Sequence, residues 1–261
     1  EAIGWKAAAS ALSDIAAMGG QPLFMLITLA CPIDTPVATV DALYEGFRAA
    51  AEHAGAIIAG GDTTQSLSGI IIDITVLGEA QNNRYVLRRG AQAGDVLAVT
   101  GCPGRSAAGL IALQQGLDAP ELIAAHLHPL PRISEGQWLA ALAEVHAMID
   151  LSDGLLQDAG HLAEAAGIGI DIDAAALPTV PGKRDSDSLQ ERDPRALALC
   201  GGEDYELVIA LDADSVAPLA EAFADHFNLP LTPVGRFTAE WTDVRVNGVP
   251  QDLRGYEHFR R

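Results

Sequence analysis

The stretch IDLSDGLLQDAG, Ile149 to Gly160, joins an apolar run to two aspartates three residues apart, with a serine between them. Ala147, Met148 and Ile149 read as the end of a short buried strand, and Gly154 marks a turn. Beyond it Leu155, Leu156, Ala159, Leu162, Ala163 and Ala166 recur at helical spacing, which predicts a helix with Asp153 as its N-cap. Asp150 and Asp153 are therefore expected at a strand-to-helix junction. Alone, such a motif is most simply a capping aspartate beside a solvated neighbour, so the other carboxylates of the chain decide its meaning.

Two further stretches share the design. In Ala59-Gly60-Gly61-Asp62-Thr63-Thr64 and Cys200-Gly201-Gly202-Glu203-Asp204-Tyr205 an apolar run again ends in glycines with carboxylates at the tip. Strand ends are where sheet proteins collect ligands, because the scaffold is rigid there and the loop accessible. Clustered aspartates repel one another, and Mg²⁺, an oxygen-seeking cation shared between one or two carboxylates and a phosphate, would balance them. Each stretch alone could equally be an ordinary Gly/Asp turn. Asp14 is a weaker candidate, since Lys6, Ser10 and Asp14 fall at i, i+4 and i+8 and read as the solvent stripe of a first helix. Arg88 and Arg89 could grip a phosphate or be a solvated pair. Gly101 to Ser106 has the look of a phosphate-type turn, although Ser106 as a plain N-cap explains it equally well.

Around these motifs the pattern is mixed α/β. Ala2 to Met18 predicts a helix, Leu23 to Leu29 a strand, Asp41 to Ala54 a helix, Ala56 to Ala59 a short strand, and Gly69 to Leu77 another strand. A polar break at Gly90 to Asp95 divides the chain into a domain over residues 1–90 and a second over 91–261. The second is expected to hold strands at Val96 to Thr100, Ile168 to Ile172 and Tyr205 to Leu211. Its helices are expected at Ala107 to Gln115, Ser134 to Val145 and Ser215 to Phe227. A polar surface loop should run from Pro181 to Pro194, and Val244 to Val246 with Asn247-Gly248 suggests a hairpin.

Composition narrows the chemistry. The 261 residues are 49% hydrophobic, enough for one or two globular cores, and no apolar run reaches the roughly 18 residues of a membrane span. A net charge of −19 argues against nucleic-acid binding. Lys6 and Lys183 are the only lysines and no GxxxxGK[ST] stretch occurs, so a P-loop is excluded. If so acidic a chain handles a polyphosphate, divalent cations must mediate. The three cysteines lack zinc or redox spacing, consistent with a reducing cytoplasm, and the seven histidines form no metalloprotease pattern. The tryptophans read as packing residues; Tyr256 and Phe259 could flank an aromatic ligand. The opening helix pattern shows no targeting segment, and Glu1 suggests a chain that begins inside a longer protein.

Six stretches together resemble the thiamine-monophosphate kinase family, within the aminoimidazole ribonucleotide synthetase-like ATP-binding superfamily. They are Leu12 to Gly19 (LSDIAAMG), Gly60 to Thr64 (GGDTT), Arg88 to Asp95 (RRGAQAGD), Asp150 to Leu155 (DLSDGL), Gly201 to Leu207 (GGEDYEL) and Gly255 to Phe259 (GYEHF). The resemblance implies two α/β domains, dimerisation through the first sheet, and transfer of the γ-phosphoryl group of MgATP to thiamine monophosphate. It further implies that Asp14, Asp62, Asp150 and Asp153 are magnesium ligands, which replaces the solvent-stripe reading of Asp14. By the same resemblance Gly61, Arg88 and Ser152 meet ATP, while Glu203 and Tyr256 meet the thiamine phosphate. Asp62, Asp150 and Asp153 would carry the catalysis. It also implies further magnesium ligands and a substrate-contacting histidine on a segment of about 55 to 60 residues upstream of Glu1, since such metal sites need a full ligand set. Two readings compete with the kinase, an aminoimidazole ribonucleotide synthetase-like enzyme and a binding module without turnover.

Overall fold

The computed structural model describes residues 1–180 and 193–251. A helix, α1 (Ala2–Ala17), leads into the long strand β1 (Gly20–Cys31), then α2 (Val37–Ala54), β2 (Ile57–Gln65) and β3 (Ile71–Ala80). These strands form a three-stranded sheet in the order β2-β1-β3, with β2 parallel and β3 antiparallel to β1. The parallel pair needs a crossover, and α2 supplies it.

Strand β1 alternates, as a half-buried strand should. Met25, Ile27 and Leu29 are fully buried against Leu12 and Ala16 of α1 and Leu43, Phe47 and Ala50 of α2. Phe24 and Leu26 point the other way and are exposed, Phe24 level with Leu77 of β3 and Ile57 of β2, and Leu26 level with Thr75 and Gly60. One face of the small sheet is therefore open and apolar.

The remaining elements are β4 (Val96–Thr100), α3 (Arg105–Gln115), α4 (Pro120–Leu127), α5 (Ile133–Ala140), β5 (Val145–Asp150), α6 (Leu155–Ala166) and β6 (Gly169–Ile172). After them come α7 (Pro194–Cys200), β7 (Leu207–Leu211), α8 (Val216–Phe227), β8 (Leu231–Thr238), β9 (Val244–Val246) and β10 (Val249–Pro250). The seven strands order β10-β9-β6-β8-β4-β7-β5 and are antiparallel except for β6 with β9. Strand β7 is buried along its whole length because both faces are covered. Leu207, Ile209 and Leu211 join the core shared with α1 and α5, while Val208 and Ala210 face Leu155, Ala159 and Leu162 of α6. The two sheets are thus separate, but one apolar core continues between them.

Two sequence expectations about these elements need correction. The helix expected from Ser134 to Val145 stops at Ala140, and Val145 opens β5 because it pairs with Leu211 of β7. The strand expected to end at Ala59 runs on to Gln65, so Gly60-Gly61-Asp62-Thr63-Thr64 is strand and not a turn. Parallel pairing with β1 overrides the turn preference of Gly and Asp there. Gly61 makes that pairing possible, since at φ +147° any Cβ would collide with the Ile27 backbone. Helix α4, which begins with a proline, had no counterpart in the sequence reading. The expected hairpin is present, with Asn247 and Gly248 both at positive φ between β9 and β10.

Candidate active site

The DLSDG and GGEDYE stretches lie side by side. Where β5 ends, the pairing continues through Leu151 N–H to the Glu206 carbonyl, Tyr205 N–H to Leu151, and Glu203 N–H to Ser152, at 2.8–2.9 Å. Gly154, at φ +114° and against the Cys200 backbone, is the N-cap of α6. Asp153 is therefore not the cap. No side chain caps the helix; Asp158, one turn in, instead ties down the preceding loop, its Oδ2 accepting the backbone N–H groups of Ser152, Asp153 and Gly154 at 3.0, 3.0 and 3.1 Å. Those bonds hold its carboxylate in a buried place, where desolvation pushes its pKa up to about 7. Asp153 itself is half-buried and accepts a bond from Gln157 Nε2 at 3.0 Å.

Asp150 closes β5 and is only 4% exposed. Ser13 of α1 donates its hydroxyl to Asp150 Oδ2 at 2.8 Å. Burial raises the Asp150 pKa to about 6; the Ser13 bond opposes that rise, the charge of Asp14 adds to it, and Arg88 counters it weakly. Burial likewise raises Asp14, with Arg88 again opposing. Asp14 and Arg88 sit together in a cleft of about 530 Å³ with Met18, Arg89 and Met148. The result is a pair of neighbouring carboxylates short of positive charge, with an arginine beside them.

The polar stripe of α1 is only partly open to solvent, with Lys6 and Ser10 half-buried and Asp14 exposed. Along it Lys6 bonds Glu203 Oε2 at 2.8 Å, Ser10 donates to the Ala7 carbonyl at 3.2 Å, and Asp14 lies near Asp150. Glu203 and Tyr205 both hold positive φ, +66° and +53°, a conformation uncommon for residues with a Cβ. Between them Asp204 accepts the N–H groups of Gly104 and Ser106 at 2.6 and 2.7 Å. This corrects the reading of Gly101 to Ser106. Ser106 is not an N-cap, and the donors a phosphate would need at the start of α3 are taken by Asp204, whose pKa burial lifts to about 7. Beneath, the buried Glu206 is gripped by Arg132 Nε and Nη2 at 2.8 and 2.6 Å and by Thr100 Oγ1 at 2.6 Å.

The remaining site residues are spread. Ser152 is half-buried in the DLSDG loop, and Gly61 and Asp62 lie on β2, exposed, with Asp62 level with Thr28. Arg88 is exposed at the cleft. Tyr256 and most of the Pro181 to Pro194 loop lie outside the described residues. Among the described residues no three His, Cys, Asp or Glu side chains converge closely enough to hold a metal by themselves. Asp14 and Asp150 nevertheless suit Mg²⁺, whose sites often use one or two carboxylates and complete their shell with water and phosphate. Sequence reasoning missed Ser13, Asp158, Lys6 and His126. Only Asp158 carried a local signal, an acidic residue in the first turn of a helix.

Comparison with known proteins defines the class first. Models of the AIR synthase related protein family match here, the N-terminal domain over residues 1–80 and the C-terminal domain over 92–247. Within that class the chain belongs to the thiamine-monophosphate kinase family. It is 38% identical to thiamine-monophosphate kinase of Salmonella typhimurium over 98% of this chain and 80% of that one. It superposes on the solved structure of AaThiL complexed with AMPPCP and TMP at a TM-score of 0.84 and 33% identity, covering 99% and 80% of the two chains. Thiamine-monophosphate kinase from Stenotrophomonas maltophilia K279a gives 0.83 and 34%, covering 96% and 79%. The fold expected from the resemblance, two-domain and mixed α/β, is the fold observed.

Proposed function

We propose that this protein transfers the γ-phosphoryl group of ATP to the phosphate of thiamine monophosphate, giving thiamine diphosphate. The observation that carries the reading is the buried Asp150, bonded to Ser13 and set beside Asp14 and Arg88, at the point where α1 meets the DLSDG loop. In such a transfer the acceptor phosphate is already ionised, so the protein needs no strong base. Its work is to hold two anions in line and offset their repulsion.

In this reading Asp14, Asp62, Asp150 and Asp153 hold Mg²⁺, which when bound screens phosphate from phosphate. Arg88 takes an ATP phosphate, Gly61 lets the nucleotide approach the β2 backbone, and Ser152 offers its hydroxyl from the DLSDG loop. Glu203 meets the positive charge of the thiamine end and Tyr256 stacks on it. Residues 1–90 form the nucleotide and metal domain and 91–261 the second. The open face with Phe24, Leu26, Ile57 and Leu77 pairs with a second copy in a homodimer, since monomers rarely leave so large an apolar patch bare. No helix among the described residues is long and apolar enough to cross a membrane, and free cysteines suit a cytoplasmic enzyme.

The test is thiamine diphosphate formation by the full-length protein from MgATP and thiamine monophosphate, with an aminoimidazole-pathway substrate as control. Product from thiamine monophosphate alone supports the reading. Ligand uptake with no diphosphate would favour a binding module instead.

A further inference from the structure

We infer that Lys6 is a positioning residue for the thiamine end of the acceptor, acting through Glu203; the inference rests on the substrate reading of Glu203 given above. Glu203 projects from a left-handed backbone with its side chain 48% exposed, whereas the Lys6 side chain is 18% exposed. A surface lysine would swing freely and its ion pair would count for little. Lys6 is instead held on a second side by His126, whose Nδ1 and Nε2 lie 3.2 and 3.4 Å from Nζ.

His126 is buried, and its Nδ1 also stands 3.0 Å from Ser106 Oγ. An ammonium can only donate, so the imidazole accepts in its neutral form. Burial first, and then the Lys6 charge, push the histidine pKa down against the opposing pull of Glu203 and Ser106, which favours the neutral ring. The ammonium is thereby a held charge that orients a carboxylate whose own backbone already presents it to the surface.

Helix geometry separates this from phosphate binding. Lys6 precedes Asp14 by eight residues on one stripe, about 12 Å along the axis at 1.5 Å per residue. A lysine for the transferring phosphate belongs beside Asp14 and Arg88, at the other end.

The test is a double-mutant cycle in the full-length protein, Lys6→Met and Glu203→Gln singly and together, following both substrates. Lys6→Met should raise the KM for thiamine monophosphate about tenfold, the worth of one oriented charge-assisted contact, and leave kcat and the KM for ATP within about twofold. The double variant should be no worse than Glu203→Gln alone, and Lys6→Gln, which keeps a donor, should recover part of the loss. Effects that multiply, or a fall in kcat at unchanged KM, would overturn the inference while leaving the kinase reading intact. Wild-type protein that makes no thiamine diphosphate would remove the kinase reading itself, and this one with it.

Discussion

The hydroxyl of Ser13 and the carboxylate of Asp150, 2.8 Å apart and both buried, join the first helix to the tip of β5 across the two sheets. Asp150 ends β5 almost fully buried, and Ser13 is the donor that makes its charge tolerable there. The bond makes the position of α1 a condition for the ionisation of Asp150, so packing and phosphate chemistry are linked through one contact.

Removing that donor gives the first prediction. Ser13→Ala should move the Asp150 pKa further above 6, because the Ser13 bond is what opposes desolvation. The lost partner should cost about 1–3 kcal/mol of stability. Denaturant unfolding reads the cost, and a carboxyl-carbon NMR titration of Asp150 reads the shift. An unchanged titration would show that the bond does not govern the charge.

The pH dependence of stability follows from three carboxylates. Burial lifts Asp150, Asp158 and Asp204 to about 6, 7 and 7, above the 3.8 of an unperturbed aspartate. The folded protein therefore binds these protons more tightly than the unfolded chain does. Their stabilising contribution is complete below 3.8 and is lost as pH rises through 6 and 7. Metal-free protein should melt at a higher temperature at pH 5 than at pH 8, and Mg²⁺ should recover more of the melting temperature at pH 8 than at pH 5. A melting temperature that rises from pH 5 to pH 8 in chelator would contradict the assignment.

Asp153 separates chemistry from stability. It is half-buried, takes one bond from Gln157 and has no part in capping α6. Asp153→Asn should therefore change stability by no more than about 0.5 kcal/mol, yet lower kcat by about a hundredfold or more if the charge is used on phosphate or metal. Thiamine diphosphate formation beside a melting curve decides it. Equal losses in both would make Asp153 a structural residue.

Legibility from sequence followed locality. The apolar periodicity of α6 and the carboxylate tips of DLSDG and GGEDYE could be read directly, because each depends on neighbours in the chain. The strand expected to stop at Ala59, with a turn left open for GGDTT, runs on to Gln65 because its partner, β1, lies about thirty residues away, and backbone pairing decides against local propensity. Ser106 misled in the same way, since its helix start is served by Asp204, nearly a hundred residues on. Lys6 looked solvated because nothing in its own helix announces Glu203. Composition supplied the negative conclusions, and contacts between distant segments supplied the site.

Asp158 offers the sharpest structural test, since one oxygen serves three backbone donors. Asp158→Ala orphans all three. Gly154 is buried and cannot turn to water, whereas Ser152 and Asp153 are partly accessible, so the expected cost is about 2–4 kcal/mol rather than three full penalties. Asp158→Asn keeps an acceptor oxygen and removes a charge that is costly to bury. It should lose far less, and should be relatively better at pH 8, where the aspartate is ionised, than at pH 5. Hydrogen exchange at residues 152–154 should speed up in the alanine variant and change little in the asparagine one. If both variants exchange alike, the loop is held by its pairing with residues 203–206 and not by Asp158.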